Sequence, residues 1–307
     1  MDRAFDVCAL GCVCWDLLGI VESYPALDEK VPLLEFTQHG GGRAGTAAAA
    51  VAALGGQVAV FGRIGDDRFG EYILEEFAIS GVNTDGLEIM PSEQSQFAFC
   101  VAHRRSGQRT IFYKHGSMPR IGADDIDLEA LTDCRCLLID SHHPGAAIAG
   151  AEAARAKGVP VVLDAERPEP QLEELLATSD YPIVPAGLVE ALGAGDESIG
   201  RRQMLKHAPT ALVVTRGAEG AEVYQGQESF HQPAFLLPEV VDTTGAGDVF
   251  HGAFAYGVAL GYDLGRGTAF ASAAAALSTT ALGGRGHLPS LAEVEALVEG
   301  NRDLPVR

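Results

Sequence analysis

Hydrophobic spacing along the chain changes character twice. In the first third, short apolar runs alternate with glycine turns. Residues 5–21, FDVCALGCVCWDLLGIV, read as a buried strand running on into a second, and 31–36, VPLLEF, as another short strand. A glycine turn at 40–42 then opens an Ala-rich helix that stops at Gly55-Gly56. A strand at 57–65 follows. Residues 67–81, DRFGEYILEEFAISG, have helical apolar spacing and a glycine stop. The runs 97–103 and 109–115, joined by RRSGQ, predict a hairpin.

After the hairpin the pattern alternates cleanly. Strands at 136–141, 160–165, 181–186 and 211–217 are separated by helices at 146–158, 171–179 and after 186. Such alternation predicts a mostly parallel sheet with helices on both faces, binding ligands at the carboxyl ends of its strands. The last third is helical, over 247–261, 265–282 and 291–300. No internal repeat or Pro/Ser-rich linker divides the chain, so 1–307 reads as one α/β domain. The early strands and the hairpin do not fit the alternation. They suit a small second sheet, a lid formed by about 12–38 and 95–116.

Composition narrows the function classes. An apolar fraction of 47% fits a globular chain with a real core. The formal charge of −20, from 22 Lys and Arg against 42 Asp and Glu, disfavours nucleic acid as a partner and suits a soluble, cytoplasmic protein. No apolar stretch approaches a membrane span, and the N-terminus reads as no signal peptide. Cys8, Cys12, Cys14, Cys100, Cys134 and Cys136 fall largely in strand-like runs without zinc spacing, so they read as reduced core residues.

Chemistry concentrates in two glycine-rich loops. Gly40, Gly42 and Gly45 spell a G-x-G-x-x-G with Asp66 about 20 residues on, which brings a dinucleotide site into consideration. However, two strands precede this loop, whereas the dinucleotide fingerprint normally follows the first. The second loop, VDTTGAGDVFHG at 241–252, lacks the Walker spelling. It nevertheless places Gly245, Ala246 and Gly247 just ahead of a helix. Free N–H groups and the positive end of the helix dipole there suit a phosphate. Asp248 is either an acid favourably placed at a helix start or a general base beside an anion hole. An acid so placed repels a bound phosphate unless it accepts a proton from the attacking hydroxyl.

The segments DTTGAGD and VFHGAF resemble the C-terminal signature of the PfkB, or ribokinase-like, carbohydrate kinases. GGGRAGTAAAAVAALGGQVAVFGRIGDDRFG resembles their N-terminal signature, VVTRGAEGA their nucleotide loop and ALGGRGHLPS their cation loop. The resemblance implies a three-layer fold with a small β-sheet lid. It also implies transfer of a γ-phosphate from ATP, with Mg²⁺, to a primary hydroxyl of a sugar. By position it implies Asp248 as base, with Gly245, Ala246 and Gly247 as anion hole. Asp16, Gly41, Gly42, Arg43 and Thr46 fall on the substrate side. Thr215, Gly217, Gly220 and Ser272 fall on the ATP side. Asp242, Thr244, Ala281, Gly284, Gly286 and Ser290 resemble a potassium site, one carboxylate among neutral oxygens suiting a large monovalent cation better than Mg²⁺.

Two departures stand out. The family's Asn-x-x-Glu is replaced by Ala186 and Val189, with Glu190 one place off, and Thr46 stands where many members have Asn. The segments look most similar to sulfofructose kinases and ketohexokinases, which points to a ketose or ketose derivative. Lys30 falls where the sulfofructose enzymes have a sulfonate-side lysine, but Tyr113 and His142 replace their other sulfonate ligands. FYKHGSM faintly resembles a motif of ketodeoxygluconate kinases. Together with Arg43, Lys114, His115, His142 and His143 it keeps an acidic or phosphorylated sugar open as acceptor. A nucleoside kinase, a dinucleotide-dependent oxidoreductase and a non-catalytic sensor are the remaining alternatives. Exposed sheet edges in a lid predict a homodimer through that lid.

Overall fold

A computed structural model describes residues 3–105, 108–207 and 210–300. The first half carries strands β1 Phe5–Leu10, β2 Cys14–Val21, β3 Glu35–Gly41, β4 Val58–Gly65, β5 Asn83–Met90, β6 Phe97–His103 and β7 Arg109–Lys114. Helices α1 Arg43–Ala53, α2 Arg68–Ser80 and α3 Leu128–Leu131 accompany them. Next come β8 Cys134–Asp140, α4 Pro144–Ala156, β9 Val161–Asp164, α5 Leu172–Thr178, β10 Tyr181–Pro185, α6 Ala186–Leu192, α7 Glu197–Leu205 and β11 Leu212–Thr215. The strands β12 Ala221–Gln225 and β13 Glu228–Gln232 precede helices α8 Ala246–Ala259, α9 Leu264–Ser278 and α10 Leu291–Gly300.

A nine-stranded sheet runs in the order β13-β12-β11-β10-β9-β8-β1-β4-β5. It is parallel except where β12 meets β11 and β13. Strand alternation sorts its side chains onto two faces. Val7 and Ala9 of β1 join one core with α1, α8 and α9, and Cys8 and Leu10 join another with α4, α5 and α6. The sheet is therefore buried on both faces, the arrangement in which parallel strands are stable. Three layers result, as in ribokinase-like α/β folds. A separate four-stranded sheet, β3-β2-β6-β7, stands beside the large one.

The structure shifts or adds several elements. Val31–Phe36 do not form one strand. Pairing begins only at Glu35 and runs through the first glycines, with Asp16 opposite His39 and Cys14 opposite Gly41. Pro32 and the exposed Leu33 carry no ladder, and Leu34 contributes a single bond, its N–H to Ile20 O at 2.8 Å. Gly40 and Gly41 thus end a strand of the small sheet, and no βαβ dinucleotide turn exists there. β5, β12 and β13 have no counterpart in the sequence reading. The hairpin of β6 and β7 is antiparallel, and residues 106 and 107 of its turn lie outside the described residues. All six cysteines are buried and unpaired. No helix among the described residues is long and apolar enough to cross a membrane.

Candidate active site

The carboxyl ends of β1, β8 and β9 meet the amino ends of α1 and α8. There Arg43 opens α1, and Asp248 sits in the first turn of α8. Both line a cavity of about 510 Å³ whose opposite wall is the small sheet, with Asp16, Gln96, Ala98 and Tyr113. Register explains that wall. Asp16 of β2 pairs with Ala98 of β6, which pairs with Tyr113 of β7, so one row of the sheet faces the cavity. Asp16 lies directly over Gly41. A Cβ there would fall 2.1 Å from its carboxylate oxygen.

The glycine loop is shaped by a left-handed residue. Gly245 has φ +73°, and a Cβ on it would lie 2.4 Å from Gly284 Cα. That contact is with backbone, which cannot swing aside. Replacing Gly245 by Ala is expected to destabilise the fold by about 1–2 kcal/mol from the φ alone, with further cost from the clash. The loop must also move, so turnover is expected to fall well beyond what the lost stability explains. Thermal melts and kcat measured on the same variant check this.

Asp242 secures the loop from behind. Its Oδ1 accepts from Thr244 N at 3.0 Å and Thr244 Oγ1 at 2.8 Å, and its Oδ2 from Gly283 N at 2.8 Å. One buried carboxylate therefore ties the glycine loop to the loop carrying Ala281, Gly284 and Gly286. Ser290 stands apart. Its Oγ donates to Glu293 at 2.6 Å at the start of α10, so that side chain is committed elsewhere.

Charged groups surround Asp248. Burial pushes its carboxyl well above the ordinary range, and neighbouring Asp164 and Glu166 push it further, while Arg43 opposes them. Asp164, at the end of β9, is itself pushed up to about 6 by burial, against the pull of His251 and Arg43. His251, one turn beyond Asp248, places Nδ1 2.5 Å from Gly247 O and 3.6 Å from Asp164 Oδ2. Asp164 Oδ1 is buried with no partner. Asp16 is also raised by burial, with the Cys14 thiol, at 3.2 Å from Oδ1, pulling the other way.

Asp140, at the end of β8, behaves oppositely. Burial alone raises a carboxyl, but Arg43 and the amides of Cys12 and His142 hold this one below the usual range. Cys12 N donates to it at 2.7 Å, His142 N at 2.6 Å, and Arg43 Nη2 lies 3.7 Å away. Arg43 Nη2 also donates to Ser141 Oγ at 3.1 Å.

Of the substrate-side residues read from sequence, Asp16, Gly42, Arg43 and His142 line the cavity, and Gly41 and Thr46 do not. Lys114 does not line it. Side chains alternate along a strand, so Arg109, Ile111 and Tyr113 face the cavity, while Lys114 points away and donates to Gln94 Oε1 at 2.8 Å. Lys30 is exposed in the irregular segment after β2 and is not brought to the cavity either. His143 spends Nδ1 accepting from Ile121 N at 3.1 Å. On the ATP side, Thr215, Gly217, Gly220 and Ser272 lie outside this cavity, near where α9 packs on β12 and β13. Sequence reasoning missed Gln96, Arg109, Arg120 and Glu166, all of which line the cavity. The alternation of β7 was the available signal for Arg109; Gln96, Arg120 and Glu166 lie in loops that carry none.

The profile of the pfkB family of carbohydrate kinases matches residues 4–291. The chain is 29% identical over 301 residues to a ribokinase of Bacillus subtilis, covering 95% of this chain and 99% of that one. It is 24% identical over 268 residues to the ketohexokinase of Mus musculus, covering 83% and 89%. Among solved structures, Arabidopsis thaliana ribokinase complexed with ribose and ATP superposes with a TM-score of 0.83 at 26% identity, covering 97% of this chain and 99% of that one.

Proposed function

The chain belongs to the pfkB family of carbohydrate kinases, and from that premise we propose that it moves the γ-phosphate of ATP to a primary hydroxyl of a ketose or ketose derivative. The observation that carries this reading is the placement of Asp248. It faces the same cavity as Asp16 and Arg43, in the first turn of a helix whose amino end is opened by Gly245.

Asp16 and Gln96 hold sugar hydroxyls in this reading. The attacking hydroxyl lies against Asp248, and the N–H groups of Gly245 and Gly247 face the transferred group, that of Ala246 donating to Thr243 O at 3.3 Å. The hydroxyl oxygen bonds to the γ-phosphorus as the bond to the bridging oxygen breaks. ADP leaves, and the hydroxyl proton passes to Asp248. A raised base suits this task, because it takes a proton more readily than an ordinary carboxylate. The residues also fit the ions. Mg²⁺ arriving with ATP neutralises phosphate charge. Val189 of the missing Asn-x-x-Glu is buried in the core, so Asp164, with its unpartnered oxygen, and Glu166 are the carboxylates at hand. Potassium would be held by Asp242 and by carbonyls of its two tied loops, without the Ser290 side chain.

The test is sugar-dependent release of ADP by the purified protein, run in potassium and again in choline buffer. Sugar-dependent release that drops in choline supports both parts. Release equal in the two buffers removes the potassium site, and none with any sugar removes the kinase assignment. We also propose a homodimer through the small sheet, whose outer strands expose Phe36 at 57% and Phe112 at 61%. A monomer mass in sedimentation equilibrium would end that idea.

A further inference from the structure

One wall of the cavity is basic, and the reaction above does not use it. His115 follows β7, Arg120 lies in the segment before α3, and His142 follows β8. All three line the cavity with Arg43 and Tyr113. They converge, since Arg120, Arg43 and His115 all act on His142. Burial first, then those neighbours, pushes His142 down to about 4, against Asp140. His142 is therefore neutral near neutral pH and gains from a negative charge brought beside it.

Counter-charge on this wall serves Arg43 alone. Asp140 stands behind it, but its oxygens are taken by two main-chain N–H groups and face Arg43. Arg120 forms no ion pair among the described residues. Arg43 keeps one amino group, Nη1, buried without any acceptor. Of the carboxylates that line the same cavity, Asp16, Glu166, Glu169 and Asp248, none is ion-paired with Arg120 among the described residues. Gln96 Oε1, on the small-sheet side of the cavity, is a buried acceptor without a donor.

We propose that the acceptor is an anionic sugar, carrying a phosphate or a carboxylate besides the hydroxyl it presents to Asp248. Arg120 grips the anion with His115 and His142. This rests on the kinase reading. The phosphates of ATP are the competing occupant. The ATP-side residues Thr215, Gly217, Gly220 and Ser272 do not line this cavity, whereas Asp16 and Tyr113 share a row of its small-sheet wall. The basic wall therefore belongs to the acceptor side.

The experiment compares kcat/KM for ketoses and aldoses, each beside its monophosphate and its aldonic or ketoaldonic acid, in the wild type, Arg120→Gln and Arg120→Lys. The expected wild type prefers one anionic class, and which class it is identifies the anion. Arg120→Gln should cut the ratio of anionic to neutral kcat/KM by about 10- to 100-fold, as loss of a hydrogen bond to a charged group does. Arg120→Lys should recover part of it. A wild type that phosphorylates neutral sugars alone overturns the inference and leaves the kinase reading standing. An Arg120→Gln enzyme whose KM for ATP rises with every acceptor assigns the wall to the nucleotide and also overturns it. Phosphorylation of nothing, with no ADP released, brings down the kinase reading and this inference together.

Discussion

Asp248→Asn is expected to lower kcat by about 10²- to 10⁴-fold, the usual contribution of a positioned general base, while the protein stays folded and still binds ATP. The sharper expectation concerns stability. Burial, with Asp164 and Glu166, raises this carboxyl above its ordinary value of 3.8. A carboxyl raised in the folded state holds its proton more tightly folded than unfolded, so stability falls as pH rises from the unfolded value through the folded one. At neutral pH the ionised group is a liability, and Asn removes it. The variant should melt at or above the wild-type temperature near pH 7, and the two should converge below pH 4. A residue that served only to complement the helix dipole gives the opposite sign, since its loss costs about 0.3–1 kcal/mol. Wild-type kcat/KM should also fall on acidification through a pKa above the ordinary carboxylate range, because only the ionised form accepts a proton. An Asn variant that melts lower yet keeps near-full turnover contradicts the assignment.

The glycine loop was legible in the sequence because its parts are consecutive. A left-handed glycine, a helix start and an acid in the first turn are local features, and 242–248 carries them all. The large parallel sheet was legible for a similar reason, since apolar strands and helices alternate in order. Asp140 and Asp164 were not. Each is the last residue of an apolar strand, and nothing local separates a strand-ending acid in solvent from one buried against Arg43 or His251. Lys114 was misread because its charge was weighed without the pleat, which turns Arg109 and Tyr113 inward and Lys114 out. β5 and β13 are the edge strands of the large sheet and β12 lies next to β13; at the edges polar residues such as those of NTDGLEIM and ESFHQ satisfy the pairing without an apolar signature.

Asp140→Asn is expected to destabilise the fold by about 3–5 kcal/mol, the scale for breaking a buried ion pair from one side. The carboxylate faces three donors at once: the amides of Cys12 and His142, and the guanidinium of Arg43. Asn offers one oxygen and turns an NH₂ toward a donor, so at least one amide loses its partner, and Arg43 loses its counter-ion. The pH dependence has the opposite sign from that of Asp248. The folded carboxyl is held below 3.8, so its contribution is complete above the unfolded value and is lost as pH falls through the folded one. The gap in melting temperature between wild type and Asn variant should therefore be full at pH 7 and close below pH 4. Activity should fall too, because Asp140 fixes both Arg43 and the main chain of His142 at the cavity wall. Asp140 is a positioning residue, and a double-mutant cycle with Arg43→Gln separates this from a general loss of packing. If the two groups act through each other, the second substitution costs much less in the presence of the first. Full additivity would leave Asp140 as a main-chain anchor with no hold on Arg43.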